Sequence, residues 1–167
     1  MKSIYFISGT MGVGKTATSL ALKKKLPNSV FLDGDWCWDM HPFQVTPETK
    51  RMVLENICFL LNNFLKCSVY EHIIFCWVMP EQWIIDHILS ALDTKDCRIH
   101  LFSLVCSEES LRQRINKDID TGLRTEDVSE RSNAYLPLYD NLNTVKVDVS
   151  DIDPEQVAEL ILRLSRE

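Results

Sequence analysis

The sequence predicts a three-layer α/β fold in which a five-stranded parallel sheet lies between helices on both faces. Three observations lead there. Strand-like and helix-like patterns alternate along all 167 residues. The strand segments are continuous apolar runs without polar alternation, as expected of strands covered on both sides. No internal repeat or linker divides the chain, so residues 1–167 are expected to form one domain.

Each element has a local reason. Residues 4–8 are rich in β-forming side chains and end at Gly9, and residues 15–25 have helical composition. A break at Leu26-Pro27-Asn28 precedes a short strand, 30–32, which ends at Asp33-Gly34-Asp35. Thr46 as N-cap and Pro47 in the first helical position open a helix whose Val53, Ile57, Leu60, Leu61 and Phe64 form one apolar face. Residues 72–78 are the third strand, and Pro80-Glu81 opens a helix to about 92. The fourth strand covers 98–106, and Ser107-Glu108-Glu109 starts a helix to about 118. Residues 119–128 are polar and aperiodic and read as a loop. A helical stretch, 127–135, precedes the fifth strand, 144–149. Asp153-Pro154-Glu155-Gln156 opens the last helix, with Val157, Leu160, Ile161 and Leu164 as its buried stripe.

Composition removes several classes of function. With 18 basic and 24 acidic residues the formal charge is −6, which repels a nucleic-acid backbone, so no nucleic-acid partner is expected. No apolar run approaches the roughly 20 residues of a membrane span. The first nine residues lack the apolar core and cleavage site of a signal peptide. The six cysteines contain no C-x-x-C pair and sit mostly in apolar segments, which suits free thiols in a cytoplasmic protein. A monomer or a homodimer is expected.

The strongest chemical signal is Gly9-Thr10-Met11-Gly12-Val13-Gly14-Lys15-Thr16, which fits G-x-x-x-x-G-K-[ST] between a strand and a helix. Glycines admit close approach of the backbone to phosphate oxygens, and the loop N–H groups and helix N-terminus present partial positive charge. Lys15 supplies a full charge to the β and γ phosphates, and the Thr16 hydroxyl can ligate Mg²⁺. The motif and Ala17 after it therefore predict a seat for ATP with Mg²⁺. A switch GTPase would need N-K-x-D at a strand end, but Asn116-Lys117-Asp118-Ile119 breaks that pattern inside a helix. The third strand ends without the acid of motor and AAA-type ATPases, so both classes lose ground.

What remains resembles the small-molecule kinase branch of P-loop proteins, the nucleoside-monophosphate-kinase-like group. It includes adenylate, shikimate, gluconate and adenylyl-sulfate kinases and chloramphenicol phosphotransferase. The resemblance spans the whole chain. It rests on the phosphate loop, on Leu32-Asp33-Gly34-Asp35, on the basic segment after the fourth strand, and on the ending Val147-Asp148-Val149-Ser150-Asp151-Ile152-Asp153-Pro154-Glu155. It implies that Asp35 holds Mg²⁺-bound water or accepts the acceptor's hydroxyl proton, with Asp33 in support. It also implies a short lid at about 117–131. Arg114, in Leu111-Arg112-Gln113-Arg114-Ile115, would meet the nucleotide, and Arg124 and Arg131 would close over the triphosphate.

Nucleoside-monophosphate kinases carry an acceptor-gripping arginine three residues after this aspartate, where this chain has Trp38. Trp36, Trp38, Phe43 and Trp77 either line an apolar acceptor pocket or belong to the core. The expected activity is transfer of the γ-phosphoryl group of ATP to a hydroxyl of a non-phosphorylated small molecule, such as an antibiotic, sugar or metabolite. The alternatives are a nucleoside or nucleotide kinase, and a nucleotide-binding sensor without phosphotransfer.

Overall fold

In the computed structural model, which describes residues 1–125 and 127–166, strand β1 (Lys2–Ser8) runs through the middle of the sheet. The other strands are β2 (Ser29–Asp33), β3 (His72–Cys76), β4 (Cys97–Val105) and β5 (Val145–Asp148). All neighbours pair in parallel in the order β2-β3-β1-β4-β5. The chain leaves β1 toward one edge and returns past it to β4, so the crevice at the carboxyl ends opens where the loop after β1 emerges.

The alternation of β1 divides the core into two layers. Ile4 and Phe6 point to a cluster closed by α2 (Pro47–Lys66), α3 (Gln82–Ser90) and Tyr139. Tyr5 and Ile7 point to one closed by α1 (Lys15–Lys25), α4 (Glu108–Asp120) and α6 (Pro154–Leu164). The expected caps form: Thr46 and Thr49 exchange bonds at the start of α2, and Asp153 and Gln156 do so at the start of α6.

Differences from the sequence reading concentrate at strand exits. β3 ends at Cys76, two residues early: Met79 takes a left-handed φ of 36° and Pro80 has no N–H for a ladder, so the chain turns. The following helix starts at Gln82 and stops at Ser90 instead of residue 92. The acidic turn is a 3₁₀ helix, Gly34–Trp38, begun by the Asp33 side chain accepting from the Asp35 N–H. A second 3₁₀ helix, Leu136–Asn141, was not legible, its periodicity being too short to register. α4 continues to Asp120, which shortens the expected 119–128 loop, and α5 (Asp127–Tyr135) begins where the sequence indicated. Residue 126 of the expected lid lies outside the described residues.

Candidate active site

Gly9 shows why the loop after β1 needs its glycines. Its φ is +150°, and a Cβ there would stand 2.9 Å from the carbonyl oxygen of Leu104 and 2.8 Å from Val13. From Met11 to Ala17 the loop and the first turn of α1 line a cavity of about 750 Å³. Gly9 and Thr10, expected to touch the nucleotide, do not line it. Thr10 is fully buried, and its hydroxyl donates to the Ser132 carbonyl at 2.7 Å, while the Ser132 hydroxyl donates to the Met11 carbonyl. These two residues therefore support the loop from beneath.

The Lys15 ammonium arches back over the loop and donates to the Thr10 carbonyl at 2.9 Å. Burial lowers its pKa, although the nearby carboxylates of Asp35 and Asp33 pull the other way. Thr16 donates to Asp33 Oδ2 at 2.7 Å. Asp33 is buried at the end of β2 in register with Cys76. The Cys76 thiol is pushed up to about 12, first by burial and then by Asp33, so a neutral thiol stands at the third strand's exit.

Asp35, two residues beyond Asp33, accepts from the indole N–H of Trp77 at 3.1 Å. Desolvation by the surrounding walls raises its pKa, and Asp33 adds to the rise. Lys15 and the indoles of Trp77 and Trp38 oppose it. Thr16 and Asp35 were expected to share a metal, but the structure joins Thr16 to Asp33 and turns Asp35 toward Trp77. Thr16, Asp33 and the adjacent Asp35 are hard oxygen donors beside the phosphate loop, a set that suits Mg²⁺. Among the described residues no cluster of three or more His, Cys, Asp or Glu is arranged to hold a metal without further ligands.

Basic side chains divide between two places. Arg114 donates to the carbonyls of Val13, at 2.8 Å, and Val149, bracing the phosphate loop against the segment after β5. Arg124 lines the same cavity and pairs with Asp118 at 2.8 Å, as does Lys117 line it nearby. Arg131, expected beside Arg124 over the triphosphate, instead lines a second cavity and pairs with Asp127 at 3.2 Å. The two expected lid arginines are thus apart. Ile152, Asp153 and Pro154 complete the first cavity. Their position could have been found from the family-like ending of the chain.

The second cavity, of about 610 Å³, adjoins the first along Met11, Asp35 and Val78. Of the aromatic residues left between pocket and core, Trp38, Phe43 and Trp77 line it, and Trp77 belongs to the core as well. Trp38 stands edge-on to Phe43 and Trp77, with ring centroids 5.1 and 5.9 Å apart. Trp36 does not: it is 59% exposed and packs on Phe31 instead. Trp83, Tyr135, Lys50 and Glu81 also line the cavity and were missed, because no chemical motif surrounds them. The only early signal for Lys50 was its place in the first turns of α2, shortly after the acidic turn.

A family model described as AAA domain matches residues 6–133. By sequence, no curated protein matches the chain. Among solved structures, the chain is similar to a tunicamycin resistance protein from Deinococcus radiodurans, at TM-score 0.73 and 20% identity over 98% of this chain and 95% of that one. It is also similar to a gluconokinase from Sinorhizobium meliloti 1021, at TM-score 0.67 and 19% identity, covering 99% and 94%. A shikimate kinase from Aquifex aeolicus superposes at TM-score 0.62 and 14% identity, covering 98% and 96%. At such identities the likeness is one of fold.

Proposed function

The chain belongs to the AAA domain family of P-loop proteins, and from that premise we propose that it is an ATP-dependent kinase of a small hydroxylated molecule. One observation carries the proposal: Asp35 stands on the wall shared by a cavity built on the phosphate loop and a separate cavity with aromatic sides. A nucleotide sensor needs the first cavity and has no use for a carboxylate opening onto the second.

In this reading, ATP lies along residues 11–17 with its base toward Ile152 and Pro154, and the acceptor occupies the aromatic cavity. The acceptor oxygen attacks the γ-phosphorus in line, an O–P bond forms, the bond to the β,γ-bridging oxygen breaks, and ADP departs. Asp35 takes the hydroxyl proton. Lys15 meets the β and γ phosphates once the polyanion replaces its bond to the Thr10 carbonyl, and Arg124 neutralises charge on the transferring group. Mg²⁺, held by the Thr16 hydroxyl with Asp33 behind it, would supply further charge neutralisation on the phosphates. The family's description includes AAA-type proteins, but the acids of this site leave from β2, and the exit of β3 carries Cys76.

The test is to incubate the purified protein with ATP and Mg²⁺ against sugars, nucleosides, nucleotides and hydroxylated antibiotics, following ADP release and phosphorylated product by mass. ADP release that depends on one acceptor class supports the kinase. ATP binding with no acceptor-dependent turnover overturns it in favour of the sensor. A second reading, a phosphorylated acceptor such as a nucleotide, draws on Lys50 and Arg131 in the aromatic cavity. If it holds, Lys50→Ala raises the acceptor KM sharply and leaves the KM for ATP unchanged.

A further inference from the structure

Trp77 is the first residue past the end of β3, and its backbone N–H still reaches the Ile7 carbonyl, so the sheet fixes its α-carbon. The residue is 7% exposed and its side chain crowds Gly34: a Cβ on Gly34 would stand 2.5 Å from the ring's Cγ and 2.7 Å from Cδ1. Nothing larger than glycine fits between Asp33 and Asp35 while the indole keeps this place. From the other side, the Tyr139 hydroxyl, at the end of a fully buried side chain, donates to the Val78 carbonyl at 2.6 Å and pins the bend that follows. The backbone on either side of the indole is therefore held by a strand and a buried tyrosine, the side chain sits against a glycine, and its N–H points at Asp35 Oδ1 from 3.1 Å.

We propose that Trp77 is the positioning residue for Asp35: its N–H holds one carboxylate oxygen so that the group faces the shared wall between the two cavities, while the same ring forms a side of the aromatic cavity. The inference rests on the kinase reading above for its consequence in catalysis, but the bond itself does not. A rigid donor to a carboxylate both aims it and favours its ionised form. An acid that must receive a proton from an acceptor hydroxyl needs both. Asp33 from β2, Lys15 from α1 and the Trp38 indole also act on Asp35, and Lys50, Arg131, Asp39 and Glu81 line the aromatic cavity with it. Of the two indoles, Trp77 is the one whose backbone N–H is bonded to the sheet.

Trp77→Phe keeps an apolar ring and removes the N–H. The expected result is a kcat lower by about tenfold or more with an unchanged KM for ATP. Gly34→Ala keeps the indole and displaces it, and is expected to give the same split between kcat and KM. The second readout needs no turnover. In the ¹⁵N-labelled protein the Trp77 indole N–H resonance, assigned by its loss in Trp77→Phe, should move upfield in Asp35→Ala, as a donor that loses its acceptor does. A resonance unchanged in Asp35→Ala, or a Trp77→Phe enzyme with wild-type kcat, overturns the proposal. If the resonance moves but no acceptor is phosphorylated, the kinase reading fails and the positioning bond stands.

Discussion

Asp35 sits where its surroundings resist ionisation. Desolvation and Asp33 favour its protonated form, so ionising it costs the folded protein stability that an unfolded chain does not lose. The sign follows from the raised pKa: the folded state binds the proton more tightly, so stability falls as pH rises from the ordinary aspartate range through the folded pKa. Asp35→Asn is therefore expected to raise the thermal midpoint at neutral pH while cutting phosphoryl transfer by about 10² or more, with ATP affinity little changed. Scanning calorimetry and single-turnover assays on one preparation check both halves. Lys15 is displaced in the opposite direction, its pKa lowered by burial. The kcat/KM profile should accordingly be a bell whose acid limb lies above the ordinary aspartate value and whose alkaline limb lies below the ordinary lysine value. Lys15→Ala should abolish turnover and leave the fold intact by circular dichroism. These residues were legible because motifs name them. Arg131 was not placed correctly, since sequence distance from Arg124 says nothing about which cavity a side chain enters.

At the scale of elements, the alternation of strand and helix and the two proline-started helices could be read directly, because N-caps and apolar periodicity are local signals. Strand exits could not. Whether β3 stops at Cys76 or continues to Val78 depends on the turn at Met79 and on Tyr139 gripping the Val78 carbonyl across 61 residues, which no window of sequence contains. The same holds for the contact between α5 and the phosphate loop. Ser132 is fully buried and bonds both Thr10 and Met11. Removing its hydroxyl strands the Met11 carbonyl. Ser132→Ala should cost about 1–2 kcal/mol of stability in urea titration and weaken ATP binding by calorimetry, although the residue does not line the nucleotide cavity.

For the whole molecule, the sheet brings two cavities to one rim and gives each a different chemistry. One has backbone amides and Lys15 for a polyanion; the other has indole and phenyl walls for a molecule with an apolar face. Placing a cation in the second should make it prefer the ligands of the first. Trp38→Arg is expected to reduce use of the native acceptor at least tenfold by kcat/KM; an increase would assign the acceptor a phosphate. The parallel, two-sided sheet was readable from the alternation of elements. The division of basic residues between cavities was not, because it is set by the path of the chain between α4 and α5 and by the pairs Asp118–Arg124 and Asp127–Arg131.

The hydroxyl clasp at Ser132 also makes the two halves of the rim a single mechanical unit. α5 carries Arg131 and Tyr135 to the aromatic side, and its middle is fastened to the loop that grips phosphate. Stiffening that loop with a triphosphate must therefore quiet α5 as well. Amide hydrogens near residue 132 should exchange more slowly with deuterium when ATP and Mg²⁺ are added alone, before any second substrate arrives. Unchanged exchange there would mean that the fastening yields and the halves stir separately.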